Sequence, residues 1–351
     1  MMPTATTRRQ FLHQVGATAV ALGSPTILGA TDKAGSKRPV VGTGAHTYEV
    51  FHDWGELPAG LKYGNTHGVV EDAQGHIYVH HTVNAASESD DTVVVFDRKG
   101  TFVRSWGTEF KGGAHGLHIQ REGKDEVLYF CDTRRAVVVK TTLKGETIWT
   151  VEYPKESDKY APGSDGKPIR YSPTNVAIAP NSDVYVGDGY GSSYINQYSS
   201  KGAYIRTFGG KGKGPGELDC PHGLIVDRRE ATPTLMVADR GNRRIQVFSL
   251  DGTHLRFIEG TQHPCHFSEH KGVMVVPDLW ARVTLIDRKN TVITHLGDAG
   301  PESWQAIRKG PREGFPPGKF VCPHGACFDR DGNIYVVEWV EVGRVTKLRK
   351  V

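Results

Sequence analysis

Six times along this chain a short apolar run gives way to a polar turn carrying glycine or aspartate, then to a second β-rich run ending at or near an acidic residue. Asp72-Ala73-Gln74-Gly75 leads into Ile77-Tyr78-Val79, and Asp329-Arg330-Asp331-Gly332 leads into Ile334-Tyr335-Val336-Val337-Glu338. The fourth copy runs from Pro221-His222-Gly223-Leu224-Ile225-Val226-Asp227 to Leu235-Met236-Val237-Ala238-Asp239. A third strand, another turn (Asp97 to Gly100, Ser200 to Gly202, Asp251-Gly252) and a fourth strand complete each unit. Four short strands with turn residues at fixed offsets form one blade of a β-propeller, so the pattern predicts an all-β, six-bladed β-propeller. The last blade reaches Val351 after only three strands, the third at Arg344 to Leu348. Its fourth is expected from Thr47 to Gly55, which resembles the fourth strand Phe102 to Gly107 and would leave no open sheet edge. The expected layout is a leader over 1–30, a linker over 31–45 and the propeller over 46–351.

Each unit opens on an equivalent position, and five of the six are histidine: His67, His115, Asn175, His222, His266 and His324, at spacings of 48, 60, 47, 44 and 58 residues. These spacings sit at or above the usual blade length. Four of the histidines precede glycine, as His67-Gly68, His115-Gly116, His222-Gly223 and His324-Gly325. With 16 histidines among 351 residues, composition alone would put fewer than one in six such places.

In a propeller the first strand of each blade lines the central channel, so these positions form a ring at one mouth. Blades two, four and six lie a third of a turn apart, which lets His115, His222 and His324 converge on one metal ion. Three imidazoles with an open fourth position make a catalytic zinc site, and imidazole also suits copper or iron. His67, Asn175 and His266 form the other set, better placed for supporting or substrate contacts. The second strand of each blade returns to the same mouth. Its terminal acids, such as Asp132, Asp188 and Asp239, read as acceptors for loop backbone. Tyr190 and Arg240, just beyond two of them, can act as a proton acceptor and a carboxylate clamp.

The remaining features set the setting. Thr7-Arg8-Arg9-Gln10-Phe11-Leu12 precedes an apolar stretch from Val15 to Leu28, too short for a good membrane span. This order of parts resembles a twin-arginine export signal cleaved near Ala30, which places the mature protein in the periplasm or outside the cell, without a membrane span. A net charge of +4, partly in the leader, gives no reason to expect nucleic acid. A monomer acting on a small molecule or peptide is expected. Of five cysteines, Cys220 and Cys322 stand two places before a ring histidine and Cys265 one before, as packing residues or as thiolate ligands of a soft metal. The spacing also permits a Cys322–Cys327 disulfide.

The copies around Pro221 and Pro323 resemble NHL repeats, and the arrangement is similar to the peptidyl-α-hydroxyglycine α-amidating lyase (peptidylamidoglycolate lyase) family of six-bladed NHL propellers. Val184 to Tyr190 matches the family's strand and loop bearing its catalytic tyrosine. Pro221-His222, Ala114-His115-Gly116-Leu117 and Cys322-Pro323-His324 match the places of its three zinc histidines, and Val237-Ala238-Asp239-Arg240 that of an active-site arginine. The resemblance implies a zinc-dependent carbon–nitrogen lyase that converts a carbinolamide to an amide and glyoxylate, with Tyr190 taking the hydroxyl proton and Arg240 holding the carboxylate.

Several places depart from the family. Its first-blade arginine is missing from His80-His81-Thr82, and Gly325 stands where the family has a calcium-binding aspartate, so calcium is not expected there. Cys322 replaces a methionine and Gly191 a cysteine. Two other readings stay open: a lactonase-like propeller hydrolase, which would bind its ion mainly through carboxylates and asparagine, and a non-catalytic NHL scaffold. For the scaffold the long loops Tyr153–Tyr171 and Gly297–Phe320 would form a docking face; for an enzyme they would form a lid.

Overall fold

The computed structural model describes residues 30–31, 37–162, 166–167, 169–300 and 303–351. The expected leader over 1–30 lies, apart from Ala30, outside them. Among the described residues no helix is long and apolar enough to cross a membrane.

After a two-stranded antiparallel pair, Ala30–Thr31 with Lys37–Arg38, six larger antiparallel sheets form the blades, and their innermost strands are Thr66–Glu71, Ala114–Glu122, Asn175–Ile178, Pro221–Asp227, Ser268–His270 and Pro323–Phe328. We number the blades in that order. Blades one to five run outward in sequence, as blade four does through Thr234–Asp239, Arg244–Phe248 and His254–Ile258. The turns follow from the Asp-x-x-Gly pattern: Asp72 Oδ1 accepts from the Gln74 and His76 amides at 2.9 and 2.8 Å, and Gly75 supplies the positive φ that closes the turn.

The inner strands are near-continuous apolar runs, as in Val93-Val94-Val95-Phe96 and Leu235-Met236-Val237-Ala238, so both faces of every blade pack against a neighbour, giving six interblade cores. The contact between blades six and one closes the circle: Tyr335, Val337 and Val345 pack with Val69, Ile77, Val79 and Val94. His46–Phe51 pairs with Arg344–Lys350, so the first and last segments of the propeller share blade six as the sequence predicts. The blade is larger than expected, because Val40–Thr43 pairs with His46–Phe51 as a fifth strand. The propeller therefore begins at Val40, and the expected linker over 31–45 is shorter by its last residues. Val41 packs against Tyr48, Leu296 and Phe320, a burial concealed in sequence by the brevity of Val40-Val41-Gly42-Thr43.

In blades two to six the acid that closes the second strand is a staple. The backbone amide three residues before the ring position donates to it in four blades: Ser172 and Asp219 to Asp188 and Asp239, both at 2.7 Å, His263 to Asp278 at 2.8 Å, and Val321 to Glu338 at 2.7 Å. In blade two, Asp132 accepts instead from the amides of Arg134 and Arg135. These carboxylates anchor the loops that present the ring.

Candidate metal and catalytic site

The His-Gly pairs acquire a physical reason in blades two, four and six. A Cβ on Gly116, Gly223 or Gly325 would collide with the backbone oxygen of Thr174, Cys265 or His67 respectively. Glycine thus lets the next innermost strand approach closely. The same three oxygens accept hydrogen bonds from the preceding histidines: His115 Nδ1 to Thr174 at 2.7 Å, His222 Nδ1 to Cys265 at 2.8 Å and His324 Nδ1 to His67 at 3.0 Å. A carbonyl can only accept, so each Nδ1 carries the proton and each Nε2 presents a lone pair. Gly223→Ala should push the Cys265 carbonyl away, cost about 1–3 kcal/mol from overpacking and weaken metal retention. Chemical denaturation and metal content after dialysis check both effects.

The three imidazoles meet. Ring centroids of His115, His222 and His324 stand 4.8, 4.9 and 4.7 Å apart in pairs, and all three rings are buried. The Tyr190 hydroxyl lies 3.1 Å from Nε2 of both His115 and His222. One hydroxyl proton cannot satisfy two acceptors. Buried lone pairs turned toward one another with too few protons to pair them suit a cation, and this donor chemistry fits zinc or a similar ion. The ligating atoms of His67, His115 and His324 lie within 4.8 Å of one another, as do those of His222, Cys265 and His324. No carboxylate enters either group.

Burial keeps these rings neutral. It lowers His115 to about 3 and holds His67, His222 and His324 well below 6.5, with further lowering of His222 by Arg240 and of His67 by His324. Neutral imidazole is the ligating form. Burial raises the Tyr190 phenol, while Arg240 opposes that shift. Arg240 places Nη1 3.4 Å from the Tyr190 oxygen and Nη2 3.1 Å from Cys220 Sγ. It is only partly buried, and among the described residues no carboxylate pairs with it. Its charge is available to an anionic ligand.

The other predicted residues are placed differently. Asn175 is buried and spends Oδ1 on its own strand, accepting from Val176 at 2.8 Å. His266 stands ahead of its short strand, not within it, and its Nδ1 donates to Ala326 at 3.2 Å. It lines a channel cavity of about 310 Å³ with Glu71, His118, Asp227 and Glu269, residues farther along the innermost strands than the ring; the cavity touches none of the trio, Tyr190 or Arg240. Cys322 is buried in an apolar cluster with Leu279, Phe315, Val321 and Val340. All five cysteines are free, so the Cys322–Cys327 disulfide does not form. These residues sit at opposite ends of one strand, Cys322 just before it and Cys327 within it, and extended backbone holds them apart. Cys220 and Cys265, which flank Arg240, are closer to the chemistry than their spacing alone signals.

Described aromatic residues of both long loops are packed. Tyr160 is buried, donates to Asp188 at 2.8 Å and stacks edge-on with Tyr153 and Tyr171. Phe315 and Phe320 are likewise buried. The first loop thereby braces the Asp188 turn that carries Tyr190.

No protein-family model matches the chain. The mouse protein named peptidyl-glycine alpha-amidating monooxygenase is 27% identical over 258 residues, which cover 70% of this chain and 24% of that protein. A probable peptidyl-alpha-hydroxyglycine alpha-amidating lyase of Caenorhabditis elegans is 26% identical over 239 residues, covering 61% of this chain and 65% of that one. This chain resembles the amidating-lyase propellers. Human NHL repeat-containing protein 3 is 23% identical over 204 residues, 52% of this chain and 51% of its own. The matched region is under two thirds of each of these relatives. Among solved structures, a gluconolactonase from Xanthomonas campestris aligns with a TM-score of 0.59 at 13% identity, covering 94% of this chain and 99% of that chain, a likeness of fold alone.

Proposed function

We propose that this protein is an exported, metal-dependent lyase that splits N-acyl α-hydroxyglycines into an amide and glyoxylate. The observation that carries the reading is the Tyr190 hydroxyl held 3.1 Å from Nε2 of both His115 and His222, with Arg240 beside it. His115, His222 and His324 would hold the ion, zinc by this reading, which supplies Lewis-acid polarisation of the substrate hydroxyl. Arg240 receives the substrate carboxylate, for which it has a free charge and an approach from the mouth. Tyr190 takes the hydroxyl proton as the carbon–nitrogen bond breaks. The carbon–oxygen bond becomes the aldehyde of glyoxylate, and the leaving amide nitrogen ends with one added proton. The proton acceptor is the phenolate form of Tyr190, which burial disfavours and the positive charge of Arg240 favours. Export rests on the Arg8-Arg9 leader and its apolar stretch. Retention of the unprocessed protein in the cytoplasm would remove that part.

The decisive test gives the mature protein an N-acyl α-hydroxyglycine and measures glyoxylate and amide together, before and after chelation. The expected result is equimolar release that chelation lowers at least about a hundredfold and zinc restores. Stoichiometric metal without glyoxylate would keep the site and remove the lyase. No metal, even after reconstitution, would remove both.

A further inference from the structure

Between blades six and two the ring holds an imidazole for which a three-histidine site has no task. His67 is buried, and its ring centroid lies 4.6 Å from that of His324 and 4.8 Å from that of His115. Its Nδ1 stands 3.4 Å from His324 Nε2. His324 already donates through Nδ1 to the His67 carbonyl, so Nε2 turns a lone pair toward the His67 ring. Nitrogen-donor hydrogen bonds are commonest at about 2.9–3.0 Å. Two donors on one tetrahedral ion with bonds of 2.0–2.1 Å stand about 3.3–3.4 Å apart. The separation matches the edge of a coordination polyhedron better than it matches a hydrogen bond. The ligating atoms of His67, His115 and His324 also all fall within 4.8 Å of one another, whereas those of His222 form a second such set with Cys265 and His324, so that His324 joins the two and one ion would draw His222 inward.

We propose that His67 is a fourth imidazole ligand of the ion held by His115, His222 and His324, an inference that rests on the metal site of the preceding reading. The protein then fills its own tetrahedral shell at rest, and an oxygen or anion enters only as His67 leaves. A site with three protein ligands keeps an open position; one with four is closed. His266 stands apart from this shell: its ligating atoms join neither close set, and its ring lines the channel cavity that touches none of the trio.

The test uses the mature full-length chain loaded with cobalt(II) alone and titrated with azide, followed by visible absorption. His67→Asn is the informative variant, since the equivalent place in blade three holds the buried Asn175. The expected result is a wild-type spectrum that azide leaves unchanged, and a variant that gains an azide-dependent shift and loses at least about tenfold in cobalt affinity. His266→Asn should follow the wild type. A wild type that takes azide overturns the proposal whatever the variant does. So does a His67→Asn protein, folded by circular dichroism, that matches the wild type in both respects. These outcomes leave the three-histidine site standing, whereas a wild type that binds no cobalt removes that site as well.

Discussion

Tyr190→Phe should lower the turnover of N-acyl α-hydroxyglycine about 10²- to 10⁴-fold, the usual range for removing a group that moves a proton in the transition state. The ring should keep its place, because the substitution removes only an oxygen and leaves the phenyl face over which the Arg240 guanidinium sits at 5.2 Å. Metal content should stay near the wild-type value, since His115, His222 and His324 each retain the carbonyl that orients them. The expected signature is a loss in kcat with metal retained and KM little changed. Arg240→Gln should instead raise KM most strongly for substrates that carry the carboxylate. Full activity in Tyr190→Phe would remove the assigned proton transfer, and equal loss of metal and activity would make Tyr190 a structural partner of the ring.

The architecture was legible because a period of strands and turns survives in the apolar pattern even where individual strands are short. Closure by the amino-terminal segment was legible for the same reason, since Thr47 to Gly55 repeats the fourth-strand pattern. The extra strand Val40–Thr43 was not, because four residues at a sheet edge carry too little alternation to stand apart from a linker. The ring positions were readable as a set, and the rings of His115, His222 and His324 do come together, but the close sets of ligating atoms are His67 with His115 and His324, and His222 with Cys265 and His324. What spacing could not give was depth and tautomer. His67 and His266 occupy equivalent places, yet one leans on His324 and the other turns along the channel to Ala326. The difference has a faint mark in the chain: His67 precedes Gly68, whereas His266 precedes Phe267, whose side chain packs into the core between blades four and five. The role of Cys265 was hidden because the relevant atom in the ring is its carbonyl oxygen, which any residue could supply.

Acid should destabilise this fold well above the pH at which carboxylates titrate. His80 and His81 are fully buried, and burial lowers both to about 3; His118 and His266 are lowered to about 4, again chiefly by burial. Unfolded, each should titrate near 6.5. Between those values the unfolded chain binds more protons than the native one, so stability rises with pH across the window and falls as pH drops below about 6.5. Each histidine contributes up to about 1.4 kcal/mol per pH unit. Two or three acting together would consume the roughly 5–15 kcal/mol that holds a typical domain within two or three pH units. Asp188 works in the opposite direction: burial raises it to about 6, so the native state binds the extra proton over its own range and offsets about one histidine. His80 is the sharpest probe. Phe110 and Phe130 press edge-on against it at centroid distances of 5.6 and 4.9 Å, and the nearby backbone of His115 and Gly116 only partly offsets the cost of burying an imidazolium. Chemical denaturation of the metal-free protein at intervals from pH 7 to pH 4.5 should show a continuous loss of stability, with a shallower slope in His80→Leu. Constant stability down to pH 5, or identical slopes in the two proteins, would show that these histidines are not held neutral by the fold.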